Sequence, residues 1–581
     1  MISGGNVRTT PEKEGNLRMR IKGRLALMGI IAGLMTIWLG TALAAATELS
    51  LYWILNGKEI SVQPEKKENL SHVLYLPGGC AGQDPVIRIN KKTELIWDGT
   101  AYASGSTLPV SRYIGQTVAA RFTNGKSLGE VRVMQGSAIS AIFVTITKED
   151  LNRVTVNRTR DIKQPASIVM IDGQGGVNAA ESLTSFTVRG NSTYFAAKKA
   201  YTFKMERKAD LAGMGKNKKW ILLANWFDIS LIRNQITFDL CRELGLRSTP
   251  DCRPVDLYIN GIYAGAYLLT EKIQLKKHRL EIYDLEEDYE ALLGKSVYEK
   301  ARFRKGSSRG VNILRWYGVK QEPEDLTGGY LLEIEKPLHF QNNQDCAGFV
   351  TDGHMCVIVQ EPTHAGRKAV EYIGGLVNDF HNAVLAKDGV NPETGKYYAD
   401  YIDLQSFATK VAIEEFSANY DVQAASHFMY KDRDSMDPLL YCGPGWDYDL
   451  SYGNKDDGMR NPAKVDYIFN RSTATSFLYR WMLIHDDFRK VVRQVWDKQL
   501  QPAAEVLLGK RAPKKGSPLK SIQAYQAEIA ESAAMNFTRW NARGVADITD
   551  ESRRTFEDAG DYLWNWISIR TEALAKAWLK D

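Results

Sequence analysis

Two acidic groups, separated by a segment long enough for a β-hairpin, are the residues whose types and spacing could do chemistry. Asp421 precedes a strand-like run, and the cluster WDYD at residues 446–449 follows that run. In phosphoryl transfer, one carboxylate orients a hydroxyl nucleophile and another holds Mg²⁺ against the transferring phosphate. The spacing therefore predicts a phosphoryl-transfer site, with solvated turns as the ordinary alternative for acidic residues.

These carboxylates fall at the junction between a β-rich and an α-rich part of the chain. Helical periodicity over residues 403–420 places Asp421 at the end of a long helix. Upstream, apolar runs on both sides of Asn260-Gly261 predict a β-hairpin. Beyond residue 453, apolar periodicity predicts a series of amphipathic helices. The charged segment 276–323 is predicted to be an irregular surface excursion.

The order of these elements predicts an α+β protein with four parts. Residues 1–46 are a leader, and residues 47–160 show short apolar runs between Gly, Asn and Pro turns, which is typical of a β-rich domain. Residues 161–455 are predicted to form a bilobal domain with a β-rich and an α-rich lobe, and residues 456–581 a helical extension of the α-rich lobe. A cleft between two lobes suits a nucleotide.

The leader predicts export of the rest of the chain. A basic segment at residues 18–24 precedes a charge-free apolar run at 25–43 and then small residues. This is the pattern of a secretory signal peptide, and the run is also long enough for an uncleaved membrane anchor. Either alternative predicts a secreted or extracytoplasmic protein of the cell envelope.

Charge and cysteine content limit the classes of partner. Most of the formal net charge of +6 lies in the leader, so the remainder is close to neutral and gives no electrostatic basis for binding nucleic acid. The six cysteines fit an oxidising compartment, either as buried thiols or as bridges, and spacing favours Cys346–Cys356 and Cys241–Cys252 as local pairs. Their spacing does not indicate a zinc site.

A set of ordered motifs resembles the spore-coat CotH family. The motifs are RGNST at 189–193, KKAYTFK at 198–204, DLAGMGKNKKWILLANWFDISLIRN at 210–234, VDLYINGIYAGAYLLTEKI at 255–273, GGYLLEIE at 328–335 and GWDYDLSYGN at 445–454. The resemblance covers about residues 161–455. It implies a compact, atypical protein-kinase fold that uses ATP and Mg²⁺ or Mn²⁺ to phosphorylate Ser or Thr of secreted proteins.

The resemblance also implies roles for the acidic residues. Asp421 takes the place of the catalytic aspartate that orients the substrate hydroxyl, and Asp447 that of the metal-binding aspartate. Asp449 is a further metal ligand. Ser426 stands five residues after Asp421, where kinases have a metal-binding Asn, and a hydroxyl is the weaker ligand.

A second group of residues is implied to bind the nucleotide. Lys204 is the phosphate-pairing lysine, with Lys199 as its rival, and Glu271 lies where a kinase hinge would meet adenine. The remaining candidates for phosphate contact are Arg189, Asn191, Arg233 and Asn234. The ordinary alternatives are a solvated strand lysine and an arginine that clamps the fold.

Three other functions remain open from the sequence. One is a non-catalytic envelope, coat or adhesion protein that keeps the fold for binding, which Ser426 favours. The others are AMP transfer on the same fold, and a glycosyltransferase that uses Asp447 and Asp449 as a metal-binding DxD motif. The ordered CotH-like motifs argue against the glycosyltransferase.

Overall fold

The chain is represented by a computed structural model of mixed α+β architecture. The residues that the structure describes are 49–67, 71–90, 92–156, 162–190, 192–308, 311–342, 345–421, 426–455, 461–465, 474–540 and 555–578. The predicted leader, with its apolar run at 25–43, lies outside these ranges. Among the helices within them, none combines the length and the apolar character that a membrane span requires.

The N-terminal residues form two β-sheets around their own hydrophobic core, as the alternation of apolar runs and turns predicts. One sheet has the order β2-β1-β5, and the other has the order β3-β4-β9-β8-β6-β7. The strands are β1 (Ser50–Leu55), β2 (Lys58–Val62), β3 (Glu65–Lys66), β4 (His72–Leu76), β5 (Val86–Arg88), β6 (Leu95–Trp97), β7 (Thr100–Tyr102), β8 (Thr117–Phe122) and β9 (Ser127–Gln135).

The next seven strands close into a barrel with the order β10-β11-β12-β13-β14-β16-β15. Its elements are β10 (Ser140–Thr145), α1 (Lys148–Val156), β11 (Gln164–Ile171), β12 (Val177–Arg189), β13 (Ala200–Asp210), β14 (Lys216–Leu223), α2 (Arg233–Glu243), β15 (Cys252–Ile259) and β16 (Ile262–Glu271). β10 lies inside the range predicted for the N-terminal domain, yet it pairs with β11 and runs parallel to β15, which closes the barrel.

A local signal in the barrel agrees with the structure. β15 and β16 form the hairpin predicted at Asn260-Gly261. Asn260 has φ of 51° and Gly261 has φ of 79°, which is the left-handed pair of conformations that a tight two-residue hairpin turn requires.

A seven-stranded sheet with the order β17-β18-β20-β21-β19-β22-β23 follows the barrel. The elements of this part are α3 (Leu285–Leu293), α4 (Lys295–Tyr298), β17 (Arg302–Ser308), β18 (Val311–Gly318), β19 (Tyr330–Glu335), α5 (Pro337–Asn342), β20 (Gly348–Thr351), β21 (Cys356–Glu361), α6 (Arg367–Leu385), α7 (Leu404–Ser417), β22 (His427–Lys431) and β23 (Leu440–Cys442). β22 and β23 pair antiparallel between the two acidic segments.

The prediction of an irregular surface excursion at residues 276–323 is wrong. The segment contains α3, α4, β17 and β18, and β18 joins the sheet beside β20. The cause is its apolar content, because Leu285, Tyr289 and Tyr298 are completely buried in the core despite the charged residues around them.

The C-terminal part is helical, as its periodicity predicts. Its elements are α8 (Ala474–Met482), α9 (Asp486–Val495), a π-helical turn (Trp496–Leu500), α10 (Gln501–Leu507), α11 (Ile522–Arg539) and α12 (Phe556–Trp578). α12 is tied to α7 by a buried ion pair in which Arg570 Nη2 lies 2.7 Å from Glu415 Oε1. All six cysteines are free thiols, so neither local pair that spacing favours forms a disulfide in the structure.

Candidate functional site

The loop after β23 is held with its central tyrosine in the core. The Tyr448 hydroxyl donates to Glu414 Oε1 at 2.8 Å and accepts from Lys410 Nζ at 2.8 Å, and both partners belong to α7. Asp447, the residue before it, has φ of 66°, a left-handed conformation that Asp tolerates better than most residues. The tyrosine therefore anchors a loop that bears one carboxylate on each side of it.

The structure brings Asp421, Asp447 and Asp449 together. One carboxylate oxygen from each residue lies within 4.8 Å of the other two. Asp421 follows α7, whose C-terminal Ala418 turns the chain out of the helix with φ of 48°. The sequence interpretation that two distant acidic segments meet at one site agrees with this geometry.

Burial and mutual repulsion make the ionised form of these carboxylates unfavourable. Burial, then the charges of Asp447 and Asp421, raise the pKa of Asp449 well above its usual value. Burial and Asp447 likewise raise the pKa of Asp421. Three carboxylates that repel one another offer hard oxygen donors of the kind that Mg²⁺ and Mn²⁺ prefer, and a divalent cation would neutralise the negative charge that nearby basic residues offset only in part.

Arg233 and Asn234 hold this loop from the start of α2. The side chains of Arg233 and Asp228 are completely buried and paired at 2.6 Å, and Arg233 Nε donates to the carbonyl oxygen of Ser451 at 3.1 Å. Asn234 Oδ1 accepts from the amide of Tyr448 at 2.7 Å. These contacts engage both side chains inside the protein, so the structure favours the clamp interpretation over phosphate contact.

Ser426 lies beside the acidic cluster. Its hydroxyl donates to Asp447 Oδ2 at 3.3 Å, and its backbone amide donates to Glu333 Oε1 at 2.9 Å. Burial raises the pKa of Glu333 to about 7, with Glu335 and Asp447 adding to the effect and the amide of Ser426 opposing it. Glu333, which the sequence motifs did not single out, thus fixes the start of β22 next to Asp447.

Arg189 is the basic group that faces the cluster from the barrel. It lies at the end of β12, with its guanidinium carbon 5.3 Å from the centre of the Trp446 ring. Burial lowers its pKa, and the charges of Asp447 and Glu333 oppose that effect. The structure therefore places Arg189 close to the metal-binding candidates, where a phosphate could reach it.

The other predicted nucleotide-binding residues have different surroundings. Lys199 donates to the carbonyl oxygen of Tyr194 at 2.7 Å. Lys204 is exposed on β13, where burial and then Lys219, Lys218 and Lys295 lower its pKa, so its electrostatic environment is basic rather than acidic.

Glu271 and Asn191 complete the set of predicted nucleotide contacts. Glu271 Oε2 accepts from the amide of Asp251 at 2.9 Å, and its other oxygen pairs with Arg279. These contacts hold Glu271 at the end of β16, one residue before the chain leaves the barrel. Asn191 lies outside the described residues.

The family of this chain is shown by comparison with known proteins. A model of the family described as CotH kinase protein matches residues 186–574, which is more than half of the chain. The chain belongs to the CotH kinase family. The match starts in β12 and ends in α12, so it includes the three carboxylates and the helices after them. A comparison with curated proteins found no match.

The structure of this member of the CotH kinase family adds a basic residue to which the sequence analysis gave no role. Burial and then the charges of Lys219 and Arg189 lower the pKa of Lys272 to about 8, and the charge of Glu361 opposes that effect. Lys272 thus lies in the electrostatic range of Arg189, which itself interacts with Asp447. Lys272 ends the motif LLTEK, directly after Glu271, so its type and position were visible in the sequence.

Asp449→Asn is expected to stabilise the metal-free protein. The raised pKa of Asp449 means that its stabilising contribution is lost as pH rises through that value, so removing the charge should raise the free energy of unfolding by about 1 kcal/mol at pH 8 and by less at pH 5. Thermal unfolding in EDTA measures this. Mg²⁺ should raise the melting temperature of the wild type but not of the variant.

The exposed Asp561→Asn serves as the control, because it should change neither the metal-free stability nor the response to Mg²⁺. A variant at Asp449 that is destabilised in EDTA, or that responds to Mg²⁺ as the wild type does, would show that the three carboxylates do not form a cation site.

Proposed function

We propose that this protein is an atypical protein kinase that transfers the γ-phosphoryl group of ATP to Ser or Thr of an extracytoplasmic or envelope protein. The observation that carries the proposal is the convergence of Asp421, Asp447 and Asp449 within 4.8 Å. Membership of the CotH kinase family supports the same reaction class. The protein partner and the export of the chain rest on the leader at residues 1–46 and on its apolar run at 25–43, which could also anchor the protein.

The three carboxylates divide the work of the reaction. Asp421 accepts the proton of the substrate hydroxyl, and its raised pKa makes it a better base than an ordinary aspartate. Asp447 and Asp449 hold the divalent cation, and Ser426 steadies Asp447 through its hydroxyl. The cation, when bound, neutralises negative charge that builds up on the phosphates.

The nucleotide lies, in this proposal, between the barrel and the part of the chain that bears the acidic loop, which are the two lobes. Arg189 and Lys272 are the basic groups that reach it from the barrel. A guanidinium can bind two phosphate oxygens at once, whereas an ammonium acts as a point charge. Glu361 supports Lys272, since its charge opposes the loss of the lysine proton.

A second candidate is a CotH-like protein that binds a partner without transferring a group. The observation that favours it is Ser426 at the position where kinases have a metal-binding Asn, since one hydroxyl already engaged with Asp447 is a poor ligand for a second cation. The two candidates differ in covalent outcome, so a measurement of mass separates them.

The test is mass spectrometry of the purified protein and a mixture of Ser- and Thr-containing acceptor proteins after incubation with Mg²⁺ and ATP. We expect additions of about 80 Da, the mass of a phosphoryl group, that disappear in Asp447→Ala. Additions of about 329 Da would instead identify AMP transfer. The absence of any addition, with ATP still bound, would favour the binding protein.

Lys272→Met is expected to weaken ATP binding about tenfold to a hundredfold, because a desolvated ammonium facing phosphates contributes about 1.5–3 kcal/mol. Lys204→Met is expected to change ATP affinity by less than about twofold, since the side chain is exposed and its neighbours are basic. Calorimetric titration of Mg·ATP into each variant measures both effects. A larger loss of ATP affinity in Lys204→Met than in Lys272→Met would instead identify Lys204 as the phosphate-pairing residue.

A further inference from the structure

Two lysines lie opposite each other on neighbouring strands at the outside of the barrel, and a third directly follows the strand beside them. Lys204 on β13 is directly opposite Lys219 on β14. The pairing of β14 with β16 ends at Trp220 opposite Glu271, and one more step in that register brings Lys219 opposite Lys272. Cross-strand neighbours have Cβ atoms about 5 Å apart, so this register places the three side chains next to one another. We name Lys204, Lys219 and Lys272 the lysine row.

The positive charges of the lysine row have no close ion-pair partners in the part of the chain that the structure describes. Among the residues that the structure describes, none of its three ammonium groups lies within 4.0 Å of a carboxylate oxygen. Like charges directly opposite on neighbouring strands destabilise a sheet. Lys218 adds a further positive charge that acts on Lys204. The repulsion between Lys204 and Lys219 is therefore a local cost to folding, whereas the charges of Glu361 and Glu286 favour the charged form of Lys272.

The charged residues near Lys204, at the outer end of the row, do not neutralise its positive charge. Lys295 and Glu299 both act on Lys204, but Lys295 is itself paired with Glu290 and lies 3.5 Å from Glu299. Glu299 therefore already has a basic partner. The row keeps its positive charge at the surface.

The row leads toward the proposed catalytic carboxylates. Lys272 is within electrostatic range of Arg189, and Arg189 is within range of Asp447. Arg189 follows Ser185, the residue opposite Lys204, by an even number of residues on β12, so both side chains point to the same outer face. The basic residues thus follow one another from Lys204 through Lys219 and Lys272 to Arg189, and Arg189 lies beside the loop that bears the acidic cluster.

We propose that the lysine row is a docking track for an acidic segment of the protein substrate, which presents a Ser or Thr next to the catalytic carboxylates. The proposal rests on the proposed function, since it names the substrate class of the same site. Lys272, at the inner end, is shared with the nucleotide phosphates. Lys204 lies two strand spacings away, about 10 Å, which leaves the outer part of the row for carboxylates or phosphates of the substrate chain.

Charge complementarity decides between acidic and basic substrates. A segment rich in Asp, Glu or phosphoserine would neutralise the row and relieve the repulsion between Lys204 and Lys219. A basic segment would meet like charge on the barrel and would be disfavoured. Selection for a substrate of this kind gives a physical reason for keeping lysines opposite one another.

The test measures the binding of labelled peptides to the full protein by fluorescence anisotropy, in the presence of Mg·ATP. One peptide carries Ser between glutamates, a second between neutral residues and a third between lysines. We expect the acidic peptide to bind most tightly, with an affinity that falls as salt is added. Lys204→Glu/Lys219→Glu should weaken its binding at least about tenfold, while the neutral peptide is unaffected.

The matched control is Lys208→Glu/Lys216→Glu, which makes the same change in charge on the same two strands. Lys216 lies opposite Asp210, so this part of the sheet is not a row of unpaired lysines. The control should bind the acidic peptide as the wild type does. Lys204→Gln/Lys219→Gln guards against misfolding of the charge-reversed variant. It should show an intermediate loss of binding, with a melting temperature no lower than that of the wild type because it removes the repulsion between the two lysines.

Equal binding of the acidic peptide to the charge-reversed variant and to the control would overturn the proposal. So would displacement of the acidic peptide by Mg·ATP, which would make the whole row a nucleotide site. The measurement does not require transfer. Selective binding of the acidic peptide without phosphorylation would contradict the proposed kinase function and still support the docking track. Phosphorylation of all three peptides at equal rates and with equal affinities would support the kinase function and contradict the docking track.

Discussion

Asp421→Asn is expected to lower the rate of phosphoryl transfer to Ser or Thr by about 10²- to 10⁴-fold, which is the usual contribution of a positioned general base. The amide is almost the same size as the carboxylate but cannot accept the substrate proton. Asp447 and Asp449 remain in place, so ATP and Mg²⁺ should still bind. A single-turnover assay with saturating Mg·ATP measures the rate, and a thermal shift with the same ligand measures binding.

The matched control for Asp421→Asn is the exposed Asp561→Asn, which makes the same change of side chain away from the site. The pH profile of the wild type supplies a second readout. Because burial and the charge of Asp447 raise the pKa of Asp421, activity should fall as pH decreases through that raised value. An Asn variant that retains full activity would exclude Asp421 as the base.

Arg233→Leu is expected to lower the free energy of unfolding by about 3–5 kcal/mol, the cost of leaving one partner of a buried ion pair uncompensated. Asp228 would lose the guanidinium that lies 2.6 Å from its carboxylate, and the Ser451 carbonyl would lose a donor. Urea unfolding followed by tryptophan fluorescence measures the loss. Because the same arginine holds the loop after β23, the response of the melting temperature to Mg²⁺ should also decrease.

Arg207→Leu provides the comparison for the buried pair. Arg207 pairs with Glu181 at 3.0 Å, but its side chain is 76 % exposed, so its removal should cost less than about 1 kcal/mol. In the double variant Asp228→Leu/Arg233→Leu no charge is left uncompensated, and the loss should be smaller than the sum of the two single losses. Additive losses would show that the two residues stabilise the fold independently.

Local chemistry allowed much of this fold to be predicted. Asn260-Gly261 specifies a hairpin by itself, because both residues accept positive φ. Periodicity identified α7 and therefore placed Asp421 at a helix end. The meeting of Asp421 with Asp447 was also predictable, since only a hairpin separates them and antiparallel strands return the chain to its starting level.

Residues whose role depends on distant contacts could not be predicted in the same way. Arg233 has the chemistry of a phosphate ligand, and only its burial against Asp228 and Ser451 shows that it clamps the fold. Lys204 has the alternating pattern of a strand, but the sequence does not reveal that the opposite residue is another lysine. Lys272 follows Glu271 directly, and the face on which each lies is set by the pairing with β14.

The parallel pairing of β10 with β15 has a consequence for the unit in which this protein folds. β10 and β11 precede residue 186, where the CotH match begins, yet the barrel is closed only when they are present. A fragment trimmed to the matched region would also lose residues 177–185 of β12, so it would expose the long edges of β13 and β15, which would be free to pair with other molecules. We therefore expect β10, β11 and the region that matches the family to unfold and refold together, in one cooperative transition.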